Sequence, residues 1–142
     1  MFELQQAAGA SSYQGIEKEG SMKQVITLPP PNSLILVMDY EIGVVPDQIT
    51  SDLVTATDSC IAIGTLAAPD GETTITLTDD PNCTVVGELV FNGELCTPNK
   101  ELAVCNVLNQ RLLTLPLLHT TVRVKVFAND VSEPDRILVL AS

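Results

Sequence analysis

The sequence predicts an all-β protein: a single-domain antiparallel β-sandwich of about nine strands. Three observations carry that expectation. Residues 121–128 (TVRVKVFA) alternate strictly, with Val122, Val124, Val126 and Ala128 on one face and Thr121, Arg123, Lys125 and Phe127 on the other. A period of two is the mark of a strand with one buried and one wet face. Short apolar stretches recur between clusters of Gly, Pro, Asn and Asp, a spacing typical of sandwiches and barrels. No strand–helix alternation points to a parallel α/β sheet.

Residues 1–22 are rich in Ala, Gly, Ser and Gln without a period, which predicts a loosely structured leader before a domain spanning residues 23–142. Residues 23–28 (KQVITL) form the first strand candidate. Pro29, Pro30 and Pro31 end it, because prolines supply no N–H to a ladder. Residues 33–40 (SLILVMDY) are the longest apolar run and predict a central strand covered on both sides. Residues 43–59 read as a short helix or an irregular edge: Ile49, Leu53, Val54 and Ala56 have helical spacing, but the serines, threonines and Val54 favour extended chain. Residues 60–66 (CIAIGTL) and 72–78 (ETTITLT) flank Asp70-Gly71, which predicts a hairpin with a threonine-lined wet face. Asn92-Gly93 predicts a second hairpin, within a meander over residues 84–108. Pro116 places residues 111–118 at an edge or bend. Residues 119–140 close the chain as a hairpin through the acidic turn 129–135.

Composition narrows the function. One domain of 142 residues can bury a core without staples. The 45% apolar content excludes a disordered chain. No apolar run reaches the length of about 20 residues needed to span a membrane, and the N-terminus lacks the basic and apolar regions of a signal peptide. A cytoplasmic location is therefore expected. Cys60, Cys83, Cys96 and Cys105 contain no CxxC pair and His119 is the single histidine. This disfavours zinc and predicts buried, unreactive thiols in a reducing compartment. The net charge of −11 is uneven: residues 1–110 hold 15 acids against 3 bases, and residues 111–142 hold 3 against 4. Such a field disfavours nucleic acid and anionic membrane, and suits a basic protein partner.

No GxSxG elbow, HExxH or phosphate-binding glycine loop is present, so an enzyme is not expected, nor a cofactor. Asp79-Asp80-Pro81-Asn82 and Glu133-Pro134-Asp135 lack the order of a calcium loop and read as turn residues. With five aromatics and no tryptophan, a stacking platform is not expected. The expected partner contacts are the loop acids Asp70, Glu72, Asp79 and Asp80, together with Phe127 beside the bases Arg123 and Lys125 on the same face of its strand.

From Leu115-Pro116 through Val122-Arg123-Val124-Lys125-Val126, the acidic turn, and Arg136-Ile137-Leu138-Val139-Leu140, the chain resembles the closing hairpin of small acidic bacterial β-sandwich proteins. These include nuclease inhibitors of the competence protein J type and several toxin-immunity proteins. The resemblance implies a cytoplasmic, non-catalytic protein that binds an enzyme to block it. The chain departs from it at Leu118-His119, where a glycine-tyrosine pair often introduces the strand, and no binding residue carries across. The expected function is thus a protein-binding inhibitor or immunity protein for a basic toxin or nuclease. The alternatives are a homo-oligomeric assembly subunit pairing through edge strands, and a small-molecule binder with a pocket between the sheets.

Overall fold

The computed structural model describes residues 21–49 and 52–142, and the backbone of residues 12–16. Two sheets pack face to face. The first has six strands in the order β1 (Ser12–Ile16), β2 (Met22–Leu28), β6 (Thr73–Thr78), β11 (Arg136–Ala141), β10 (Thr121–Ala128) and β7 (Glu88–Cys96). The second has five: β4 (Val54–Ala56), β5 (Cys60–Gly64), β3 (Leu34–Met38), β8 (Glu101–Asn106) and β9 (Arg111–Pro116). The sandwich expected from sequence is present, with more strands than the nine expected and with one parallel pair, β6 against β11. Of the leader expected over residues 1–22, Ser12–Ile16 pairs with β2, and most of the remainder lies outside the described residues.

The alternation in β10 does what its sequence requires. Val122, Val124, Val126 and Ala128 are buried, and the three valines meet Ile75, Leu77, Ile137 and Val139 in a core shared with Ile35, Val37, Ile61, Ile63, Val104 and Leu115 of the opposite sheet. Each such side chain contributes about 1.5–3 kcal/mol by leaving water. Gln24 is the polar exception. It is buried on the inner face of β2, and its Oε1 accepts a hydrogen bond from the Thr114 N–H of β9 at 2.9 Å, tying the two sheets together.

Strand β3 is central and buried on both faces, as its unbroken apolar run predicts. Leu36 and Met38 turn outward and pack with Cys60, Ala62, Ala103 and Cys105. Tyr40 packs against this second cluster; its hydroxyl donates to the Asn109 carbonyl and its ring lies 4.4 Å from the Arg111 guanidinium carbon. Gly43 approaches so closely that a Cβ there would overlap the Met38 side chain. The ambiguous stretch 43–59 resolves toward the irregular-edge expectation, with β4 as the edge strand and no helix among its described residues. β9, with Pro116 at its end, is the other edge of the second sheet.

Both expected internal hairpins are corrected. β5 and β6 lie in different sheets, so the turn at Ala68–Asp70 is a crossing between layers. Gly71 takes φ 143 there, and the Leu66 N–H donates to the Pro134 carbonyl, drawing the crossing toward the terminal turn. Asn92-Gly93 makes no turn at all. A two-residue hairpin of the common type needs positive φ at both central residues. Neither residue has it, and Gly93 sits opposite Val124 within the continuous strand β7. The meander therefore does not exist: β7 pairs with β10, and the turn at residues 97–100 carries the chain across to β8 in the other sheet.

Candidate functional site: an acidic end of the sandwich

The topology collects distant acids at one end. β6 and β11 run parallel, so the loops that feed them, residues 65–72 and 129–135, emerge side by side. They are joined by the bond from Leu66 N–H to the Pro134 carbonyl at 2.9 Å and from Thr74 N–H to the Asp135 carbonyl at 2.8 Å. A third loop, at residues 29–33, reaches them through the Thr65 N–H, which donates to the Ser33 carbonyl. These loops contain Asp70, Glu72, Asp130, Glu133 and Asp135 and no lysine or arginine. All five acids are exposed. Asp52 and Glu133 also line a cavity of about 430 Å³ at this end, bounded by Ser33, Leu53 and Thr65.

The terminal turn is fixed by its own side chains. Asn129 Oδ1 accepts from the Asp135 and Arg136 N–H groups at 3.1 Å each, and Asn129 Nδ2 donates to Asp135 Oδ1 at 2.6 Å. Asp130 Oδ2 accepts from the Glu133 N–H at 2.8 Å, the Ser132 N–H at 3.2 Å and the Ser132 hydroxyl at 3.0 Å. Those donors, led by the Glu133 N–H, hold the Asp130 carboxyl below its ordinary range. A field of carboxylates on short, hydrogen-bonded turns can attract a cationic surface, with little ordering cost on docking.

The residues singled out from sequence fall in three places. Asp70 and Glu72 are at the acidic end and exposed. Asp79 and Asp80 follow β6 at the opposite end, and they are not free loop acids. Asp79 Oδ1 accepts from the Met22 N–H at 2.8 Å, while Asp80 is only 7% exposed and its Oδ1 accepts from the Asn82 N–H at 2.9 Å. Their turn chemistry explains this correction: Asp side chains satisfy nearby backbone donors and fold back in doing so. Phe127 is half-buried on the outer face of the first sheet, opposite Leu89, far along β10 from the Arg123–Glu94 ion pair at 3.7 Å. The sequence did not single out Asp130, Glu133 and Asp135 for this end; they were visible as an acidic turn, but their proximity to Asp70 and Glu72 is a property of the pairing.

The thiols divide. Cys60 and Cys105 are buried, and burial pushes each up to about 12. Cys83 is half-buried, and Cys96 is exposed, contrary to the expectation that all would be covered. Cys60 and Cys105 flank β3 opposite Met38 and Leu36, which puts their Cα atoms about 12 Å apart, beyond disulfide reach. Among the described residues no cluster of three or more metal-ligating side chains exists, and no helix is long and apolar enough to cross a membrane.

No family model matches the chain, and no curated protein matches it in sequence. Among solved structures one likeness is extensive: the crystal structure of ComJ from Bacillus subtilis, described as an inhibitor of the DNA degrading activity of NucA. The fold is similar to that of ComJ. The TM-score is 0.62 over 82% of this chain and 92% of ComJ, at 12% identity. The likeness therefore covers most of the sandwich and is not confined to the terminal hairpin. At that identity ComJ establishes the fold alone.

Proposed function

We propose that this protein is a non-enzymatic binding domain that docks its acidic end onto a basic protein and blocks it, acting in the bacterial cytoplasm. The observation that carries this reading is the convergence of Asp70, Glu72, Asp130, Glu133 and Asp135 on hydrogen-bonded loops without a single base. Two facts support it. ComJ, whose fold this chain resembles, is an inhibitor of a nuclease, the kind of enzyme that carries a basic surface for its polyanionic substrate. Four cysteines without a disulfide fit a reducing compartment.

The test is affinity capture from the source bacterium at low ionic strength, followed by elution with salt and assay of what elutes. The reading expects a basic protein with its own catalytic activity, lost stoichiometrically when this chain is added back. A captured partner that keeps full activity at saturation, or one whose surface is acidic, overturns it.

A second reading has one specific observation in its favour. β7 is a nine-residue edge strand of the first sheet, and open edges are templates for pairing between copies. Sedimentation of the purified chain separates the readings: a concentration-dependent dimer abolished by a proline at Asn92 supports assembly.

A further inference from the structure

Residues 79–87 leave β6 and cross to the start of β7 over the outer face of the first sheet. The crossing is pinned at both ends. The Asp80 N–H donates to the Thr78 hydroxyl and Asp79 takes the Met22 N–H. Gly87, at φ 63, lies where a Cβ would overlap the Ala128 carbonyl. Leu138 points outward from β11 yet is only 3% exposed, and with Val86 it lines the space left under the crossing. That space is a groove of about 260 Å³, floored by Thr74, Thr76 and Thr78.

Its charge is opposite to that of the molecule. Lys23 and Arg136, two of the chain's 7 bases, both line it, and neither is in an ion pair among the described residues. Lys23 is level with Thr78, and Arg136 with Thr74 on the other side of β6. Their Cα atoms are thus about 13 Å apart along the strands and about 10 Å across them, so two long side chains can converge on one group between them. Asp80 is the single acid in the lining, and one of its oxygens already accepts the Asn82 N–H. The Thr74 hydroxyl is bonded to Thr27 and that of Thr78 to the Met22 carbonyl, which leaves Thr76, midway along the floor, without a protein partner among the described residues.

We propose that this groove binds a small organic anion through one oxyanion group, carboxylate or phosphate, held between Lys23 and Arg136 with the Thr76 hydroxyl beneath it. A planar guanidinium and an ammonium meeting over a hydroxyl suit such a group, since charge-assisted bonds to an oxyanion are about twice as strong as neutral ones. The groove is somewhat smaller than the 300–1,000 Å³ usual for drug-sized ligands, which limits the occupant to a compact metabolite. The groove borders the acidic end at Thr74 and Arg136, but its binding does not depend on the function proposed for that end.

The full chain is titrated with inorganic phosphate and, separately, with succinate, while backbone amide resonances are followed. The proposal expects saturable shifts concentrated at Lys23, Thr76, Cys83 and Arg136 with at least one probe at millimolar concentration, about where weak single-group binding falls. Phosphate alone assigns a phosphate ester, and succinate alone a carboxylate. The double variant K23Q/R136Q should weaken binding about tenfold or more, and T76V by less. Bound probe should also slow alkylation of Cys83 and leave exposed Cys96 unaffected, a readout that needs no variant. Shifts scattered over the surface, equal binding by K23Q/R136Q, or no saturation with either probe overturns the proposal.

Discussion

Replacing Asp39 by alanine should lower the midpoint of thermal unfolding by about 10 °C. Asp39 ends the central strand β3 and is 1% exposed. Its carboxylate accepts the Asn99 backbone N–H at 2.7 Å and the Asn99 side-chain Nδ2 at 3.1 Å, which pins the turn carrying the chain from β7 in one sheet to β8 in the other. Two hydrogen bonds to a charged group contribute roughly 1.5–3 kcal/mol each. Water can reach exposed Asn99 once the carboxylate is gone, so a net loss of about 3 kcal/mol is expected. Domains of this size lose about 3–4 °C per kcal/mol. Asn99→Ala removes one of the two bonds and should cost about 1 kcal/mol, and a cycle with D39A should show coupling of similar size. Urea unfolding followed by circular dichroism, with an unchanged denaturant slope, is the assay. A D39A loss below about 1 kcal/mol would mean that the crossing is held by the sheets alone.

Core, backbone and thiol give three further tests. Leu115→Ala, at a side chain with no exposure between the sheets, should cost about 2–5 kcal/mol in urea unfolding. Gly87→Ala should cost more than the roughly 1 kcal/mol typical of an alanine at positive φ, because its Cβ also meets the Ala128 carbonyl. Under native conditions Cys96 should react with a thiol reagent first and Cys83 slowly, with Cys60 and Cys105 reacting only on unfolding. The buried thiols also set an alkaline limit. Their folded values stand near 12 against 9.0 when unfolded, so the unfolded chain loses those protons first. The protonated thiols' contribution is full below pH 9 and falls as pH rises toward 12; the variant C60A/C105A should show a shallower decline in stability over that window.

What the sequence made legible was the facing of residues, and what it hid was their partners. The period of two in β10 correctly placed Val122, Val124, Val126 and Ala128 inside, and the unbroken run of β3 correctly placed it in the centre. Asp70-Gly71 and Asn92-Gly93 misled because a turn signal describes local backbone freedom. Gly71 does adopt positive φ, but the chain leaves it for the other sheet. At Gly93 the glycine instead leaves room for the Phe91 ring, whose tip a Cβ there would displace. The acidic end was half legible. Asp70 and Glu72 could be read as loop residues, but their union with Asp130, Glu133 and Asp135 follows from the parallel β6–β11 pair, a long-range contact that no local pattern encodes.

The most direct test of the acidic end compares the two ends of the sandwich in association kinetics with the captured partner. One variant reverses Asp70, Glu72 and Glu133 to lysine; the other reverses Glu41 and Asp58, exposed acids on loops at the opposite end. Solvated charges contribute little to stability, so both should fold. The association rate should fall steeply between about 0.01 M and 0.1 M salt, as the screening length shrinks from about 30 Å to about 10 Å. The first variant should lose a further factor of about ten or more, and the second should change much less. Equal effects from the two ends, or a rate indifferent to salt and to both reversals, would contradict docking through the acidic end.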